Sequence, residues 1–272
     1  VIYFSMGYWV IGLALIVSLA GVSCGLACIR QSTKSVTTRF RLLWVFVAAS
    51  SIGGVGVALS VFVSMLGFEV KGTTLRYDTT MTTLFSALSG LTVFVGLVVA
   101  GKNLNWLRLV AGALIMAGGL GTVHLLLLSA IRVQGTTERS LVSVIAVYVI
   151  AGVLSALMMW FSLWARTVPV LMAGSLAYAV IVTGMHYAGL TGLQVHVDPT
   201  AAIPEGDELF NFFVPFFIIG SLSLAIPITA ILVAPDRREA RQAPAPAEPD
   251  LTHSASLAVS SRKSGRAKAS VR

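Results

Sequence analysis

The sequence predicts an all-α polytopic membrane protein: seven transmembrane helices, arranged as three tandem two-helix repeats plus a C-terminal helix. Three observations carry that reading. Apolar runs long enough to cross a bilayer as a helix, about 20 residues each, recur along the chain. Only 11% of the 272 residues are charged, against about 25% in a soluble domain. The chain also returns on itself about every 62 residues, so that His124 and His186 hold matching places in two apolar segments and Trp44 and Trp106 stand at the starts of the second and fourth.

Run length places the spans at about 8–29, 42–66, 79–100, 108–131, 141–164, 168–193 and 210–233. The first lacks a basic leader and is too long for a signal-peptide core, so it reads as a retained span. It contains Cys24 and Cys28, four residues apart, which read as small buried hydrophobes rather than a thiolate site. Tyr77-Asp78 precedes the third span and suits a helix N-terminus, where a carboxylate is favoured. Glycine, alanine and serine are frequent in the spans, as close helix packing in lipid requires. Pro215 and Pro227 are expected to bend the last span. Residues 1–233 thus form the membrane domain, and 234–272, rich in Pro, Ala, Ser, Lys and Arg, read as a disordered basic tail with too few residues for an output domain.

No Asp, Glu, Lys or Arg falls well inside a span, and only Arg108 sits at a boundary. Alternate loops and the tail place fifteen basic residues on one side and four, Lys71, Arg76, Arg132 and Arg139, on the other. The positive-inside rule then puts the N-terminus outside and the C-terminus in the cytoplasm, in a cell inner (plasma) membrane. The net charge of +8 does not signal nucleic acid, because the basic residues occupy loops and tail without interleaved aromatics. An enzyme is not expected, for no nucleophile–base pair, metalloprotease motif or phosphate loop appears. Retinal binding is not expected, because no lysine lies within a span to form a Schiff base.

The polar chemistry inside the membrane is confined to the repeat. Its strongest copy is Met185-His186-Tyr187-Ala188-Gly189-Leu190; the second copy reads Val123-His124-Leu125, and the first Ser60-Val61-Phe62-Val63-Ser64-Met65. Each unit spans the membrane twice, so all three copies end at the outer leaflet. This arrangement resembles the MHYT sensor domain of bacterial membrane proteins over about residues 3–233, with Arg76-Tyr77-Asp78-Thr79 similar to that family's Tyr-Asp pattern. The resemblance implies copper near the outer face, held by Met and His residues, and the sensing of a diatomic gas. The family motif has methionine four residues after histidine; here Leu190 and Leu128 stand there, and the first copy keeps Met65 without a histidine. A metal site would therefore be assembled between helices from His186, His124, Met185 and Met65, a donor set suited to copper.

Each candidate also has a plainer reading. A buried histidine serves packing when it bonds a neighbouring carbonyl, methionine fills core gaps, and His196 beside the acidic loop reads as a surface residue. The leading functional expectation is a membrane sensor whose output passes through a separate cytoplasmic partner. The alternatives are a transporter, disfavoured by the lack of charged groups within the spans, and a structural scaffold with a decayed site. The oligomeric state has no sequence signature.

Overall fold

The computed structural model describes residues 1–101, 105–164 and 167–233. Seven helices run through them: α1 (Trp9–Lys34), α2 (Thr38–Met65), α3 (Thr79–Ala100), α4 (Trp106–Ala130), α5 (Leu141–Trp164), α6 (Val168–Thr191) and α7 (Leu209–Val233). All seven are long and apolar enough to cross a membrane. The protein is thus a multi-pass, all-helical membrane protein, and a lipid bilayer is its solvent. Lys102, Arg166 and the tail over 234–272, on which part of the orientation argument rests, lie outside the described residues.

Helix starts follow local chemistry. Thr37 accepts from the Phe40 N–H, Asp78 from Met81 and Asn105 from Arg108, each satisfying an amide that the first turn leaves open. Asp78 caps its helix as the sequence indicates. Pro169 occupies the first turn of α6, where its missing N–H costs nothing. α1 continues to Lys34, beyond the end of the apolar run, because backbone hydrogen bonding tolerates Arg30, and Lys34 in the last turn, where a hydropathy boundary does not. The middle of α2, Ser50–Leu59, is wound as a π-helix, which apolar periodicity does not reveal. Both prolines of α7 lie inside the helix.

The first six helices close into a ring. Each packs on the next in sequence, and α1 packs against α6 to complete the circuit. Small residues make this closure possible. A Cβ on Gly21 of α1 would fall 2.5 Å from the Gly56 nitrogen of α2, and one on Gly53 would fall 2.4 Å from the Ser89 carbonyl oxygen of α3. Such contacts supply the van der Waals attraction that drives helix association in lipid. α7 lies outside the ring and reaches it through side chains: Phe216 stacks on Phe62 of α2 at 5.4 Å, and Gly220 faces Leu59.

One end of the ring carries two small antiparallel sheets. β1 (Arg76–Tyr77) pairs with β2 (Ile131–Arg132), and β3 (Gly135–Arg139) pairs with β4 (Leu193–Val197). They tie together the loops that leave α2, α4 and α6, so the three repeat copies finish beneath one cap. The sequence reading carries α6 to residue 193; instead the chain leaves the helix at Thr191 and enters β4, where the β3 strand satisfies its backbone. Two ion pairs, Arg132–Asp78 and Arg76–Glu208, each 2.9 Å, and a backbone exchange between Tyr77 and Asp207 hold the cap.

Candidate functional site

Beneath that cap the two repeat histidines meet. His124 of α4 and His186 of α6 have ring centroids 5.4 Å apart, standing edge to face at 88°. The equal register comes from the tandem repeat, which runs α4 and α6 in the same direction. The close approach comes from Gly189, one turn beyond His186. A Cβ there would lie 2.8 Å from His124 Nε2, so the absent side chain lets the imidazole edge rest on the α6 backbone. Ser143 of α5 fixes this backbone by donating to the carbonyls of Ala188 (2.8 Å) and Gly189 (3.2 Å).

Both rings are buried, and none of their four nitrogens has a hydrogen-bond partner among the described residues. A buried imidazole must carry a donor and an acceptor, and leaving such a group unpaired costs about 1–3 kcal/mol. The packing alternative raised by the sequence, a histidine bonded to a neighbouring carbonyl or serine, therefore does not describe either ring.

The methionines divide. Met65 packs with Val123, Leu127, Leu128 and Leu190, the residues around the ends of α4 and α6. Met185 packs in the deeper core with Met116, Leu120, Tyr178 and Val182. Adjacent residues on a helix point about 100° apart, so Met185 and His186 leave α6 in different directions.

Tyr187 covers the pair from the cap side. Its ring lies 5.4 Å from His186 and 5.3 Å from Phe4, which the N-terminal segment holds in place through the Ile2–Glu69 bridge and the Ser5–Gly67 hydrogen bond. The sequence names Tyr187 as part of the motif but gives no sign of Phe4, whose role depends on a contact across the chain. Cys24 and Cys28 are free and buried, and His196 is exposed on β4, as expected. No group of three His, Cys, Asp or Glu residues able to hold a metal occurs among the described residues, so any metal here would rest on two imidazoles and thioether or exogenous donors. A surface pocket of about 470 Å³, with Asp78, Arg132 and Glu205 in its wall, opens at the cap.

Outside the membrane, the Met81 amide and then the Arg132 guanidinium hold the Asp78 carboxyl below the usual range. Thr200 does the same for Asp198. Burial pushes the Tyr77 phenol up.

Fold and site together define a seven-helix integral membrane protein with a paired-histidine centre in a closed six-helix ring. Comparison with protein-family models, curated protein sequences and solved structures returns no match.

Proposed function

We propose that this chain is a membrane-embedded sensor of the MHYT type, with a copper ion shared by His124 and His186 just beneath the outer surface. One observation carries the reading: two buried imidazoles, four unpartnered nitrogens, 5.4 Å between centroids. Intramembrane ionisable residues without a packing role mark functional sites. Two imidazoles sharing one ion at about 2 Å per bond would have a centroid separation of this size. Imidazole nitrogen suits copper, which heads the divalent affinity series. His124 and His186 would hold the ion, and copper held there would supply the capacity to bind a diatomic gas.

The chain's own residues then have distinct tasks. His124 and His186 donate, Gly189 permits their approach, and Ser143 fixes the backbone that carries His186. Phe4 and Tyr187 exclude water from the cap side. Met65 and Met185 are the thioether candidates, one in each of the two larger core clusters. With the basic loops in the cytoplasm, the cap faces outward, and the signal leaves through the tail or a separate partner.

Metal analysis of protein purified after copper loading tests the reading. About one copper per chain in the wild type, and background copper in the His124→Ala/His186→Ala double variant, is the expected result. Equal copper in both would overturn it and leave the scaffold reading.

A further inference from the structure

A second polar cluster lies deeper in the ring, where α1, α5 and α6 meet. Ser18, Ser155 and Tyr178 are 0%, 0% and 1% exposed, and none of their three hydroxyls has a partner among the described residues. Other buried serines behave differently. Ser32, Ser60, Ser64, Ser89 and Ser175 each donate to a carbonyl three or four residues back on their own helix, the usual resort of a hydroxyl within a helix. Ser18 and Ser155 do not use that resort.

The helix registers put the three at one depth. Ser23 of α1 faces Met172 of α6 across an antiparallel pair. Five residues toward the cap from that contact stand Ser18 on α1 and residue 177 on α6. On the other flank, Phe161 of α5 lies against Gly174, and Ser143 reaches Ala188 and Gly189. Between those two contacts, Ser155 falls level with residues 176–180. Tyr178 is therefore flanked at its own depth by both serines, and all three lie on the buried stripes of their helices. α1 packs against α6, α5 packs against α6, and α1 touches α5. The cluster sits eight residues below His186, roughly 12 Å along the helix, half-way through the membrane.

We propose that Ser18, Ser155 and Tyr178 form an internal water-binding site at the three-helix junction, distinct from the histidine pair. Three neutral hydroxyls offer no charge or soft donor for a metal ion. They offer what a buried water needs, two to four polar partners. In lipid the alternative is three unsatisfied hydroxyls in hydrocarbon, each carrying its own desolvation cost. A bound water would link α1, α5 and α6 at this depth, where none of the three hydroxyls bonds a neighbouring helix directly.

Hydroxyl-radical labelling by radiolysis in H₂¹⁸O tests this on the intact protein in detergent or nanodiscs, because radicals born from bound water oxidise the adjacent side chain. Tyr178 is expected to take up ¹⁸O at a rate within a few-fold of Tyr8, exposed just outside α1, whereas buried Phe62 stays unlabelled. Tyr178 as inert as Phe62 would overturn the site. The Ser18→Ala/Ser155→Ala double variant is expected to lose Tyr178 labelling with Tyr8 unchanged. Thermal stability gives a second reading. Tyr178→Phe is expected to lower the melting temperature, and to lower it less in a Ser155→Ala background. A dry site predicts the reverse, an unchanged or raised melting temperature with additive effects. Neither readout involves copper, so failure of the metal reading leaves this one standing.

Discussion

A Cβ on Gly189 would fall 2.8 Å from Nε2 of His124, closer than a Cβ contact allows. The missing methyl thus leaves room for the His124 ring beside the helix that carries His186. The first prediction tests that spacing directly. Gly189→Ala is expected to cost about 1–3 kcal/mol from overpacking and to displace His124. Copper affinity should fall while α-helix content, read by circular dichroism, stays the same. An unchanged copper affinity would show that the approach is not needed.

The histidines should also declare themselves in the metal-free protein. Four unpaired buried nitrogens cost stability without a ligand, so a His124→Leu/His186→Leu variant is expected to melt at or above the wild-type temperature without metal. The same variant should lose the stabilisation that copper gives the wild type, which rises as RT ln(1 + [L]/Kd). A strong loss of stability in the metal-free variant would instead indicate a packing role for the pair.

Ring closure predicts a contrast between neighbouring glycines in the π-helical stretch of α2. A Cβ at Gly53 meets the backbone of Ser89 and Gly90 at 2.4–2.7 Å, whereas one at Gly54 meets nothing within 4 Å. Gly53→Ala should therefore destabilise by about 1–3 kcal/mol as α2 and α3 are forced apart. Gly54→Ala should be neutral or stabilising by up to about 1 kcal/mol through reduced backbone entropy. Melting temperatures of the two variants in one detergent decide the matter.

Asp78 couples the cap to pH. Its carboxyl is held low by the Met81 amide and by Arg132, so the folded state stays ionised where the unfolded chain has already bound a proton. The stabilisation is complete above the ordinary aspartate value and is lost as pH falls toward and past the lowered one. A melting series from about pH 7 to about pH 3 should show a shallower fall for Asp78→Asn than for wild type. Asp78→Ala, which also loses the helix cap, should cost about 1 kcal/mol at neutral pH.

Phe4 and Tyr187 make a prediction about access. Phe4→Ala removes a ring contact of the kind worth about 0.5–1.5 kcal/mol and uncovers the histidine pair. Copper exchange with a soluble chelator should accelerate severalfold, with equilibrium affinity little changed. Equal exchange rates would mean that the N-terminal segment does not cover the site.

The site was legible in the sequence only up to depth. The interval between His124 and His186 placed both rings at one level, since a two-span repeat returns each copy to the same face. The separation between the rings was not legible, nor was the role of Gly189, because a glycine needed for close approach looks the same as one tolerated in a lipid-packed helix. Phe4 carried no signal at all. Asp78 was readable as a cap because capping is local chemistry.

The sequence by itself determined the number of spans, their approximate ends and the threefold internal repeat. Those follow from transferring apolar runs into lipid, a property each segment has on its own. Tertiary structure alone decided the closure of α1 onto α6, the pairing of β3 with β4, the π-helical turn of α2 and the meeting of two imidazoles. Lipid gives helices no hydrophobic reason to choose one neighbour over another. The choice falls to close contacts between particular small residues far apart in the chain, and only the packed ring shows which of them meet.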